Sequence, residues 1–154
     1  MKRLSDRKKL DIVKAVMMFF YIIIIALFLL PSLLAMTDNM PKKRFDAKLT
    51  ERCEELFMIK FDGSFTPSEY RKMGFQDCVY LLTLKDIQSP DVIMAQYRRD
   101  GFTAESLHSA DDPLGSGKKP AEVYKVSPPP PSQVLYIYFY IEEDNTYTAV
   151  LTYN

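Results

Sequence analysis

Residues 134–153 read VLYIYFYIEEDNTYTAVLTY. Two runs of strand-forming residues, 134–141 and 146–153, flank Glu142-Glu143-Asp144-Asn145, a polar stretch of hairpin length. Side chains alternate along a strand, so Leu135, Ile137, Phe139 and Ile141 share one face. Val134, Tyr136, Tyr138 and Tyr140 share the other. The aliphatic set is expected to face the core, and the tyrosines to meet a helix, water or a partner. Three tyrosines on one face form a rigid amphipathic strip of the kind enriched at interfaces. Tyr136, Tyr138 and Tyr140 are therefore the candidate partner-binding residues. Tyr153 joins them, expected on an exposed edge able to accept another strand.

Upstream of this hairpin, helix and strand signals mix. Ser127-Pro-Pro-Pro-Pro-Ser132 reads as a stiff connector between strands, the first of them at 122–126. It contains P-x-x-P at Pro128 and Pro131, with Lys125 nearby. Residues 109–120 are a loop of turn formers. Ser89-Pro90-Asp91 predicts a helix over 90–100: a serine cap, proline at the first position and an acid favourable to the dipole. CVYLLTL at 78–84 is apolar on both faces and reads as a central strand. Thr66-Pro67-Ser68-Glu69 predicts a short helix over 67–73, stopped by Gly74. Asp46 is placed to cap a helix over 47–58, with Leu49, Cys53, Leu56 and Phe57 at helical spacing. The sum is an α+β domain over 46–154, two layers thick, with an antiparallel C-terminal β-hairpin.

Ahead of it, residues 37–45 read as a polar tether, and residues 15–36 carry no charge. AVMMFFYIIIIALFLLPSLLAM would make a helix of about 33 Å, against ~30 Å of bilayer hydrocarbon. Its densest part is apolar on every face, unlike an interfacial helix. It reads as a transmembrane signal-anchor. Residues 1–14 form a basic tail, with six basic side chains (Lys2, Arg3, Arg7, Lys8, Lys9, Lys14) against two acidic ones. Five basic residues follow the segment: Lys42, Lys43, Arg44, Lys48 and Arg52. Lys14 abuts the apolar run, which favours a cytoplasmic N-terminus and an extracytoplasmic domain. The alternative is a secretory signal cut near Ala35, which would release the domain.

Composition narrows the chemistry. Twenty basic and twenty acidic residues give zero net charge, without the basic balance usual in nucleic-acid binders. One histidine excludes a His-rich metal centre, and two cysteines exclude a four-Cys zinc site. His108 lies among Ser106, Ser109, Asp111 and Asp112, but sequence neighbours rarely supply triad geometry, so it reads as a surface residue on a helix end. Gly115-Ser-Gly-Lys-Lys lacks the first glycine and the final Ser or Thr of a phosphate loop. The Asp111-Asp112 pair lacks the alternating ligands of a calcium loop. Glu54-Glu55 and Glu142-Glu143-Asp144 read as solvated faces. Outside the cytosol, Cys53 and Cys78 are candidates for a disulfide closing a loop worth ~3.5 kcal/mol on the chain-entropy estimate, the alternative being two buried thiols on a helix and a strand.

The sequence therefore points away from an enzyme, and to no cofactor. Its expected partners are the membrane and another protein. The leading reading is a membrane-anchored protein-binding domain in a membrane or envelope complex. The alternative is an anchored or secreted immunity or inhibitor protein that neutralises a toxin or enzyme, its acidic surface steering toward a basic partner.

Overall fold

The computed structural model describes residues 6–74, 78–108, 112–128 and 133–153, with side chains of the first helix described over 11–29. The chain divides into two compact units, Met1–Asp38 and Asn39–Asn154.

The first unit contains α1 (Asp6–Asp38), a helix that continues through Pro31. Its described side chains are all exposed. By length and composition, Asp11–Leu29 is apolar enough to cross a membrane, and a signal sequence would satisfy the same test. Residues 1–5 of the basic tail lie outside the described residues.

The second unit holds α2 (Ala47–Phe57), β1 (Thr66–Met73), β2 (Val79–Ile87), α3 (Pro90–Arg99), β3 (Thr103–Leu107), β4 (Glu122–Ser127), β5 (Leu135–Ile141) and β6 (Tyr147–Tyr153). All six strands join one sheet in the order β1-β2-β6-β5-β4-β3, every pair antiparallel. The expected hairpin is present: Leu135 pairs with Tyr153 and Ile141 with Tyr147. Its turn closes through bonds from the Glu142 amide to the Thr146 carbonyl and from the Asn145 amide to the Glu142 carbonyl.

Helices α2 and α3 begin as the sequence dictates. Asp46 accepts a bond from the Leu49 amide at 2.7 Å, and Ser89 accepts one from Asp91 at 3.3 Å. Cys53, Phe57, Ile93, Met94 and Tyr97 from the two helices enter one core with Leu82, Leu84, Ile137, Phe139, Ala149 and Leu151 of the sheet. The end of α2 is held by α3. The Tyr97 hydroxyl donates to the carbonyl of Phe57 at 2.7 Å, giving a partner to an acceptor that the terminated helix leaves free. Buried Gln96 accepts from the Lys60 amide at 2.9 Å and donates to Lys60 O at 3.2 Å and Asp62 Oδ2 at 3.1 Å.

Three expectations need correction. Residues 67–73 form β1, not a helix. Proline tolerates the start of an edge strand for the same reason it tolerates the first helical position, since in neither is its missing N–H needed. The hairpin partner decides between them: Tyr70 pairs with Leu82 and turns its ring into the core. Second, Ile141 is 56% exposed at the hairpin tip, although Leu135, Ile137 and Phe139 of its face are buried. Third, residues 39–45 belong to the folded unit: Lys42 exchanges main-chain bonds of 2.8 and 2.9 Å with Tyr70, and Phe45 packs on Phe61. Strand β3 had no counterpart in the sequence reading. Residues 129–132 of the proline run lie outside the described residues.

Tyr97→Phe should lower the unfolding free energy by about 1–3 kcal/mol, because it leaves the Phe57 carbonyl buried without its donor. Urea titration monitored by circular dichroism measures it, and an unchanged midpoint would show that the bond contributes nothing.

Candidate functional site

The sheet has two unlike faces. One is covered by α2 and α3. The other carries a second apolar cluster of Leu81, Val123, Tyr138, Tyr140 and Val150, with Met73, Leu107 and Tyr136 packed at its margin. These residues come from all six strands and from no helix. The face is assembled by register: Val123 opposes Tyr138, Tyr138 opposes Val150, and Tyr136 opposes Thr152. Toward the edges it becomes charged. Glu69 and Arg71 form an ion pair at 2.7 Å on β1, and Lys125 opposes Glu105 across β4 and β3.

The tyrosine strip lies on the face away from the helices, where the sequence left a helix, water or a partner open. It is less open than three exposed rings would be. Tyr138 is 9% exposed and Tyr140 6%, while Tyr136 is half-buried. The Tyr140 hydroxyl donates to Asp112 Oδ1 at 2.8 Å. Asp112 also accepts from the Leu114, Ser116 and Gly117 amides and from the Ser116 hydroxyl. Burial pushes the Asp112 carboxyl up, but bonds from Ser116, Tyr140 and the Leu114 amide outweigh it and hold the group down at about 2. Burial and the Asp112 contact push the Tyr140 phenol up. Asp112 therefore pins the 112–117 loop to the end of the strip. No calcium-loop signature marked this carboxylate, and its role as a loop anchor depends on a residue 28 positions away.

Tyr153 lies elsewhere. Strand β6 is flanked by β2 and β5, so the residue is not on an edge. Its ring belongs to the helix-covered core and pairs with Tyr80 at 6.2 Å. His108 follows β3 rather than a helix and is exposed.

The expected disulfide is absent: Cys53 and Cys78 are not bonded to each other. Cys53 points from α2 into the core. Cys78 precedes β2 at the hairpin end, where its thiol contacts the Gly74 carbonyl at 3.7 Å. Two cysteines in one domain satisfy the counting rule, but helix and hairpin direct these two to different surroundings. Burial raises the Cys53 thiol to about 11, opposed by the charges of Arg52 and Lys42. Among the described residues no group of three or more His, Cys, Asp or Glu is arranged to hold a metal.

No protein-family model matches the chain, and neither curated proteins nor solved structures give a match.

Two measurements follow from this geometry. Non-reducing intact mass should show no disulfide between Cys53 and Cys78, and iodoacetamide should modify Cys78 well before Cys53, which needs unfolding to ionise and react. Equal labelling rates would contradict the burial of Cys53. For Asp112, folding lowers the pKa from 3.8 to about 2. Its stabilising contribution is present above the unfolded value and lost as pH falls through the folded one. Asp112→Asn should therefore melt below the wild-type chain at neutral pH, with the gap closing between about pH 4 and 2.

Proposed function

We propose that this chain is a single-pass membrane-anchored protein whose α+β domain lies outside the cytoplasm and binds another protein within a membrane or envelope complex. The supporting observation is the pairing of an apolar helix, exposed along its described length, with a separately packed domain. A helix whose apolar side chains contact no protein core needs another apolar environment, and a bilayer supplies it. The slight excess of basic charge ahead of the helix favours a cytoplasmic N-terminus.

The second sheet face is the surface this reading assigns to the partner. Its apolar centre is buried, and its half-buried margin with Tyr136 and the charges of β1, β3 and β4 is the part a partner could reach. Tyr136, half-buried at the margin, is the ring best placed for a partner to cover.

The full chain should resist extraction by alkaline carbonate from sealed membranes. Its intact mass should include residues 1–36, and protease should digest the domain only from the extracytoplasmic side. A mass beginning near Met36 would replace the anchor with a cleaved signal. Digestion from the cytoplasmic side would reverse the topology.

A further inference from the structure

We infer that Lys42, Lys43, Arg44, Lys48 and Arg52 form a binding site for the phosphate headgroups of anionic phospholipids. The inference rests on the membrane-anchor reading above.

The five side chains line one open concavity of 530 Å³. Two further residues complete the lining, Leu49 and Asp46. The one carboxylate in the wall already serves as the α2 cap through its bond to Leu49. No ion pair within 4 Å engages any of the five cations among the described residues, although Lys60, Arg71 and Arg98 each find a carboxylate elsewhere in the domain. Part of the arrangement is unfavourable by itself. Lys48 and Arg52 are like charges four residues apart on α2, which weakens a helix. Lys48 also sits in the first turn, where a cation opposes the helix dipole and no acid follows the Asp46 cap. An anion reverses the sign of each of these terms.

The cations are also carried by fixed backbone. Lys42 is held by its paired main-chain bonds to Tyr70, and Lys48 and Arg52 ride on a capped helix. Lys42 and Arg52, at the two ends of the stretch, line the same concavity.

Charge distribution and position select the source of phosphate. Residues 42–52 hold five basic and two acidic side chains, whereas 53–154 hold nine basic and fifteen acidic. The domain is therefore acidic except at the stretch next to the apolar helix. Only Asn39, Met40 and Pro41 separate α1 from Lys42. A basic cluster that begins three residues after a membrane helix in sequence is within reach of phosphate headgroups on whichever side of the bilayer the domain lies, and each cation near an anionic surface contributes about 1 kcal/mol.

The test uses the full chain in vesicles containing phosphatidylglycerol or phosphatidylcholine with a photoreactive headgroup. Crosslinks are mapped to peptides after the vesicles have been floated. Phosphatidylglycerol crosslinks within residues 42–52 should exceed phosphatidylcholine crosslinks by about fivefold. In K43Q/R44Q/K48Q/R52Q the excess should fall to near parity. The milder K43Q/R44Q pair, which leaves α2 untouched, should lose an intermediate part of it. Circular dichroism confirms that both variants fold. Mapping separates the site from the basic tail at residues 1–14. A chain that floats but crosslinks equally to both lipids overturns the headgroup site and leaves the anchor standing. A chain that fails to float removes the anchor and the site with it. Full displacement by inorganic phosphate at matched ionic strength would assign the concavity to a soluble phosphate and overturn the lipid source.

Discussion

The antiparallel ladder between β2 and β6 is the seam on which the domain depends. On one side lies the β1–β2 hairpin, and on the other the run β6-β5-β4-β3. Leu82 opposes Leu151 and Leu84 opposes Ala149 across it, all four fully buried beneath the helices. Leu81 and Val150 flank the same seam on the second face. One ladder thus holds both apolar clusters together, so a fault in its register would open both faces at once. Helix α3 reinforces the seam from above. It connects β2 to the far edge strand β3, and Gln96 and Tyr97 bind it to the end of α2.

Much of this was legible where local chemistry and tertiary packing agree. The caps of α2 and α3, the central strand from Val79 and the terminal hairpin all follow from side-chain pattern and hydrogen-bonding chemistry. Residues 66–73 failed because their signal is ambiguous: a Thr-Pro start serves a helix and an edge strand equally, and only the facing strand settles it. Strand β3 left no signal because Thr103–Ser106 are all exposed, so no face had to be apolar. The Tyr136–Tyr138–Tyr140 strip was visible through period two, yet its burial was not, since it depends on Leu81, Val123 and Val150 from three other strands. Tyr153 and the cysteine pair failed for one reason. Strand order and side-chain direction are set by partners remote in sequence, which counting and spacing do not encode.

The two sheet edges differ. Strand β1 has the Lys42 bridge over part of its outer side, whereas β3 presents its outer side to solvent. Short length and the charge of Glu105 are what natural sheets use to discourage unwanted pairing at such an edge. With no bond between Cys53 and Cys78, cohesion of the described domain rests on apolar packing and hydrogen bonds.

The place of β6 at the middle of the sheet has a consequence for biosynthesis. About sixty residues separate the end of β2 from the start of β6. At ~5–20 residues per second, the ribosome takes roughly 3–12 s to add them. Throughout that interval the inner side of β2, with Leu82 and Leu84, has no β6 to pair with. The future centre of the sheet therefore stays an open edge until β6 has been synthesised.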